Sequence, residues 1–130
     1  MNERGEGVIF FPQFSNVKLH SECEAEIIQL IHKNEVPAFI ASYNQRVKFL
    51  SEHLGQEIIH KSWFEILKKT QGLRSIRFMK FRNLRILYAL ENEKAFLLVA
   101  FEERQGHRNT EYAPYIDIAQ KRLNQKGALV

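Results

Sequence analysis

The sequence predicts an α+β domain in which helices come first and a small antiparallel meander follows. Three observations carry this. Apolar residues recur at helical spacing as far as Leu67, the period then changes to two over 73–102, and short polar pairs separate the alternating segments.

Taken in order, residues 1–7 are polar and Gly-bearing and are expected to fray. A first strand is expected at Val8–Phe11 or at Val17–His20, with Pro12 between the two alternatives. Ser21 is the expected N-cap of a helix over 22–33 with Ile27, Ile28 and Ile31 turned inward. Asn34 and Pro37 mark a break. Phe39, Ile40, Tyr43, Val47, Leu50 and Leu54 then predict a second helix that Gly55 ends. Ile59, Trp63, Ile66 and Leu67 give a third, shorter helical stripe before Gly72. Strands are expected over Leu73–Phe81, Leu84–Glu91 and Lys94–Glu102, with tight turns at Arg82-Asn83 and Asn92-Glu93. A polar loop over 104–109 leads to a last helix opening near Ala113-Pro114, with proline in its first turn. That helix carries Tyr115, Ile116, Ala119 and Leu123 on one face. The N-terminal helices are expected on one face of the sheet, leaving the other face partly open.

A chain of 130 residues is read as a single domain, 1–130, large enough for one core. Its hydrophobic content of 45% excludes a disordered chain. Cys23 is alone, so an intrachain disulfide and a Cys-based zinc site are ruled out and a reducing compartment is expected. No basic, apolar leader is read at the N-terminus, and the run Ala95–Phe101 is too short to cross a bilayer. A cytoplasmic protein with no membrane partner is the expectation.

Charge is unevenly placed. Residues 1–59 hold five Lys/Arg against eight Glu, a net of −3, while residues 60–130 hold 14 Lys/Arg against seven Asp/Glu, a net of +7. Between Glu65 and Glu91 there is no acidic residue and there are seven basic ones: Lys68, Lys69, Arg74, Arg77, Lys80, Arg82 and Arg85. Cations concentrated on adjacent strands repel one another unless an anion is present, and a polyanion is the natural counterpart. Strand alternation puts Arg77 on one side with Met79 and Phe81, and sets Arg85 among Leu84, Ile86 and Leu87. An arginine in apolar surroundings is costly to desolvate unless it is paired. Each therefore either pairs with a glutamate of the first helix or waits for an anion, and both alternatives stay open. The five histidines show no i, i+4 pair and no metal-binding motif, so no metal or cofactor is expected. His107, in the basic loop, is placed as a general acid or base. Tyr112 and Tyr115 are either core or surfaces for base stacking. No Gly-rich phosphate loop and no nucleophile elbow appears.

From about Glu26 to Arg122 the chain resembles the RelE/ParE toxin superfamily, most closely its HigB-like, phage-derived branch. The residues that carry the resemblance are a helical pair followed by Trp63-Phe64-Glu65-Ile66-Leu67, then Gly72-Leu73-Arg74-Ser75-Ile76-Arg77 and Asn83-Leu84-Arg85-Ile86-Leu87-Tyr88-Ala89. Phe96–Phe101, Asn109–Tyr112 and Ile116–Arg122 follow in the same order. The resemblance implies a RelE-like fold and the toxin of a type II toxin–antitoxin pair. Such a toxin is a metal-independent endonuclease of mRNA, often on the ribosome, held inactive by a helix-turn-helix antitoxin. In that chemistry an RNA 2′-OH attacks the adjacent phosphate while cations stabilise the phosphorane. Carried over by position, Arg77, Arg85 and Arg104 match family arginines, with Glu103 and His107 as candidate base and acid. Lys68, Lys69, Arg74, Lys80, Arg82 and Tyr112 are the candidate RNA-binding residues. Glu103 stands where the family has a basic residue, and Val99 where it often has histidine. Those two departures keep a second expectation open: a non-catalytic phage or prophage protein on the same fold that binds RNA or a host protein.

Overall fold

The computed structural model describes residues 11–60, 62–103 and 108–125. The chain is α+β, with one five-stranded sheet between helices. The elements run β1 (Val17–Leu19), α1 (Ser21–Leu30), α2 (Val36–Glu52), β2 (Phe64–Ile66), β3 (Arg74–Phe78), β4 (Leu84–Glu91), β5 (Lys94–Glu102) and α3 (Arg108–Leu123). Short 3₁₀ turns lie at Lys33–Glu35 and Glu57–Ile59.

The expected meander is present as β3-β4-β5, and it is extended on both edges. The strand order is β1-β5-β4-β3-β2, with β1 parallel to β5 and every other pair antiparallel. The sheet is therefore mixed rather than purely antiparallel. The turn at Asn92-Glu93 has both residues at positive φ, 53° and 62°, the twist that suits a two-residue hairpin. Arg82 and Asn83 also have positive φ, 55° and 57°, but they end a longer link: β3 stops at Phe78, which pairs with Leu84, so the expected two-residue turn after a strand reaching Phe81 is not formed.

The first strand takes the second of its two expected alternatives; of Val8–Phe11 only Phe11 is described, and it is buried against Tyr43. Three other expectations are corrected. His20, not Ser21, caps α1, because its Nδ1 accepts a hydrogen bond from the Glu22 N–H at 3.0 Å. The third helical stripe is not a helix. Phe64 and Ile66 pair with Ile76 and Arg74, and Ile59 is 74% exposed in its 3₁₀ turn. A helix that short has too few backbone bonds to offset its nucleation, whereas an open strand edge offers partners at once. Finally, α3 begins at Arg108, so Pro114 lies inside it rather than opening it.

The sheet carries a core on each face. α1 and α2 bury Cys23, Ile27, Phe39, Tyr43, Val47 and Leu50 against Ile76, Phe78, Leu84, Ile86 and Tyr88. The opposite face holds Leu87, Ala89, Phe96, Leu98, Val99 and Phe101, covered by Tyr112 and Ala119 of α3. A bulge in the β4–β5 pairing, between Leu87 and Tyr88, sets both Leu98 and Val99 into this second core. The layers are tied by buried Arg122. Burial opposes its charge, and the Glu26 carboxylate at 2.7 Å holds the charge in place and raises the pKa overall. Its Nη1 also donates to the Leu98 carbonyl at 2.8 Å.

Arg82 joins the 3₁₀ turn before α2 to the sheet through Glu35 at 2.7 Å and Glu102 at 3.1 Å. The Arg82 hydrogen bond, followed by one from the His32 N–H, lowers the Glu35 pKa from 4.5 to about 2. A depressed carboxylate contributes stability that is present above its unfolded value and lost as pH falls through the folded one. Glu35→Gln is expected to lower the melting temperature by roughly 2 °C at neutral pH, since a solvent-screened pair contributes about 0.5 kcal/mol. The gap between variant and wild type should close as pH falls from about 4.5 to about 2 in a calorimetric series. A gap that stays constant across that window would show that Glu35 acts through packing.

Candidate active site

Antiparallel register sets Arg77 of β3 directly opposite Arg85 of β4. Paired residues point to the same face, so both guanidinium groups stand on the α3 side of the sheet. Like charges placed directly across a ladder are destabilising, so the register holds a local cost within an otherwise apolar hairpin.

The backbone at Arg77 is anchored twice. Its N–H donates to the Trp63 carbonyl at 2.7 Å, and its carbonyl accepts from Arg46 Nε at 2.8 Å. Arg46 itself lies over the Trp63 ring, 4.8 Å from its centroid, and burial lowers its pKa. These contacts fix the direction in which the Arg77 side chain leaves the strand. The Arg77 guanidinium is half-buried, and its Nε is buried without a hydrogen-bond partner among the described residues. The interval on its own face runs Ser75, Arg77, Met79. Phe81 belongs to the opposite core, because β3 ends at Phe78.

Arg85 is buried and forms an ion pair through Nη2 with Glu103 Oε1. Its Nε and Nη1 are buried and have no partner among the described residues. Glu103 follows β5, and its N–H donates to the Asn83 carbonyl at 3.0 Å, which holds the end of β5 against the turn before β4. The Tyr112 hydroxyl of α3 donates toward Glu103 Oε1 at 3.4 Å. Phe101, across from Arg85, meets Tyr112 edge-on at 5.2 Å and stacks on Tyr115 at 4.0 Å. The Arg85 guanidinium, one carboxylate and one phenol therefore meet beside an aromatic wall, with Arg77 across the ladder. This combination can bind an oxyanion and move a proton.

A cleft of about 470 Å³ lies alongside, lined by Glu65, Lys68, Thr70, Tyr112 and Ile116 among others. Glu65 faces the same side as Ser75, its register partner, one step along β3 from Arg77. Sequence reading missed Glu65 and Ser75 as neighbours of the site because 59–67 was read as helix. The alternation Phe64-Glu65-Ile66 was the signal that would have placed them.

The structure thus brings together Arg77, Arg85, Glu103 and Tyr112, with Lys68 at the adjoining cleft. It does not bring in the rest. Arg74 is on the other face, bound to buried Glu57 at 2.5 Å, and the same carboxylate accepts from Tyr88. Arg82 is held by Glu35 and Glu102. Lys69 and Lys80 are exposed in turns. Arg104 and His107 lie outside the described residues. Among the described residues no group of three or more His, Cys, Asp or Glu is placed to hold a metal ion, and no helix is long and apolar enough to cross a membrane.

Comparison with known proteins returns no match to a protein-family model, to a curated protein or to a solved structure. The site is therefore interpreted from its own chemistry.

The Arg85–Glu103 pair has both side chains largely buried, at 7% and 11% exposed. Removing one partner of such a pair typically costs about 3–5 kcal/mol, while replacing both by apolar groups is close to neutral. Arg85→Leu is expected to lower the unfolding free energy by about 3 kcal/mol, and Arg85→Leu/Glu103→Leu to recover most of it. Arg77→Ala removes no ion pair seen among the described residues and relieves a like-charge contact, so it should stay within about 0.5 kcal/mol of wild type. Urea unfolding with a constant m-value checks all three. An Arg77→Ala protein that does not fold would make Arg77 a structural residue.

Proposed function

We propose that this chain is the toxin of a type II toxin–antitoxin pair and cleaves mRNA, in association with the ribosome, by intramolecular transesterification. The observation that carries the proposal is the Arg77–Arg85 register pair, two guanidinium groups on one face with a single carboxylate, Glu103, on Arg85. A scissile phosphodiester placed against the solvent-facing part of half-buried Arg77 receives charge-assisted hydrogen bonds, with the buried charge of Arg85 behind it. Glu103 accepts the proton of the 2′-OH as the 2′ oxygen forms its bond to phosphorus. The bond to the 5′ oxygen then breaks, and the Tyr112 hydroxyl returns a proton to that oxygen. The products are a 2′,3′-cyclic phosphate and a 5′-hydroxyl. Half-buried Tyr115, stacked on buried Phe101, offers its outer face to a neighbouring base. The resemblance to RelE/ParE toxins supports the reading from a separate direction, and it also supplies the cognate helix-turn-helix antitoxin as partner and the cytoplasm as compartment.

One observation favours a second reading. Glu103 already neutralises Arg85, which suits a non-catalytic interaction protein that binds RNA or a host protein on the same fold.

Induced expression followed by primer-extension mapping of cellular mRNA separates the two. The toxin reading expects discrete cleavage sites and growth arrest. Both should fall by about 10²–10³ in rate for Arg77→Ala and for Glu103→Gln, the usual cost of losing one transition-state donor or proton acceptor. Growth arrest without cleavage would establish the second reading, and wild-type cleavage by folded Arg77→Ala would move the active site elsewhere. Binding to a non-cleavable 2′-deoxy oligonucleotide should weaken with salt at a log–log slope of about −2, for roughly three phosphate contacts by Arg77, Arg85 and Lys68. A flat salt response would remove RNA as a ligand.

A further inference from the structure

β1 pairs only with Ala95–Leu97, so the outer edge of β5 from Leu98 to Glu102 has no strand partner among the described residues. Side chains stand in for that strand. Glu26 Oε1 accepts the Ala100 N–H at 3.0 Å, and Arg122 Nη1 donates to the Leu98 carbonyl at 2.8 Å. By strand alternation the Ala100 carbonyl and the Glu102 N–H point the same way, into a cleft of about 950 Å³. α1 forms one wall with Ala25 and Leu30, α3 the other with Pro114 and Tyr115, and the β5 edge is the floor. Among the described residues, five carboxylates in and beside this groove, Glu22, Glu26, Glu35, Glu102 and Glu103, share three arginines, Arg82, Arg85 and Arg122. Glu22 is 69% exposed at its side chain. The groove is thus apolar in its walls, strand-like in its floor and negative in its surplus.

From this geometry we infer that the groove docks an extended, basic segment of a partner protein, which adds to β5 as a further strand. With the Leu98 carbonyl and the Ala100 N–H already taken, the Ala100 carbonyl and the Glu102 N–H remain to pair with one residue of a parallel segment, whose flanking residues run on along the groove. Main-chain bonds to Ala100 and Glu102 supply register, and alternate side chains meet the walls. Lysines or arginines on the segment take up the carboxylate surplus. Glu103 lines the groove and also holds Arg85, so a cation seated there competes for the site carboxylate. Docking itself stands apart from the nuclease reading; only this inhibitory consequence rests on it.

The probe is a fluorescein-labelled heptapeptide alternating arginine and valine, titrated against the intact chain by anisotropy. Saturable binding is expected. It should weaken by about tenfold in Glu22→Gln/Glu102→Gln, which removes two charges outside the proposed chemistry. It should be lost when alternate peptide amides are N-methylated, and the Glu102 amide should gain protection from hydrogen exchange. No saturable binding, equal binding by a glutamate–valine heptapeptide, or equal binding by the N-methylated peptide would each overturn the docking site. In a parallel RNA-cleavage assay the peptide should slow the wild-type protein. Binding without slowing would overturn the coupling through Glu103. An absence of any cleavage by the free protein would sink the nuclease reading, and the anisotropy arm alone would then decide the docking site.

Discussion

β5 is buried on both faces from Ala95 to Phe101, and the arrangement of the molecule follows from that. A strand with alternate side chains in two cores needs cover on both sides. α1 and α2 supply one layer and α3 the other, so the chain must return across the sheet after β5. The bulge against Leu87 and Tyr88 then shifts the phase of β5 by one residue. Beyond it Phe101 faces Arg85, and Glu103 reaches the guanidinium from the strand's end. α3 covers the β4–β5 half of its face, which leaves polar chemistry to the margin over β3, where Arg77 stands. The candidate site is the place where apolar cover runs out.

The arginines show how much a charge count can say. The basic C-terminal half finds many of its counter-ions in the acidic N-terminal half: Arg74 takes Glu57, Arg82 takes Glu35, and Arg122 takes Glu22 and Glu26. Much of the +7 against −3 asymmetry is thus settled within the fold rather than offered to a partner. The run of cations between Glu65 and Glu91 reads as one patch along the chain. In space it is divided between two faces and a turn. Arg77 has no such counter-ion among the described residues, and Arg85 has a single one that leaves two of its nitrogens without partners.

Local signals were legible and non-local ones were not. The alternation of Leu84–Glu91 and Lys94–Glu102, and the turn at Asn92-Glu93, are properties of short windows, and the structure places those strands at the expected bounds. Arg77 and Arg85 were nameable as strand cations, but their pairing was not: a two-residue turn at Arg82-Asn83 would set Arg77 opposite Tyr88, whereas β3 ends at Phe78 and Phe78 pairs with Leu84. β1 was not, as a partner. Three residues that pair in parallel with β5 across 78 positions leave no periodic trace. β2 was misread because Ile59, Trp63, Ile66 and Leu67 satisfy a helical spacing that four residues meet easily, while the open edge of β3 decides otherwise. Arg122 was visible only as a late helical residue; its burial between Glu22, Glu26 and the Leu98 carbonyl depends on the crossing of α3 over the sheet.

Glu103 looks at first like a defect in an anion site, since it spends part of Arg85 on an internal partner. Charge balance along the proposed reaction argues the reverse. Two guanidinium groups and one carboxylate carry a net charge of +1, which matches the single negative charge of a bound phosphodiester. When Glu103 accepts the 2′-OH proton, the site rises to +2 as the phosphorus centre gains its second negative charge. The interaction is then stronger in the transition state than in the ground state, which is the condition for raising the rate of the chemical step rather than tightening substrate alone. With a lysine in place of Glu103, the ground-state phosphodiester would be bound most strongly and no acceptor would be present beside Arg85. A carboxylate at this position therefore suits proton-coupled cleavage, and a cation seated in the β5 groove that paired with Glu103 would draw it away from the arginine pair.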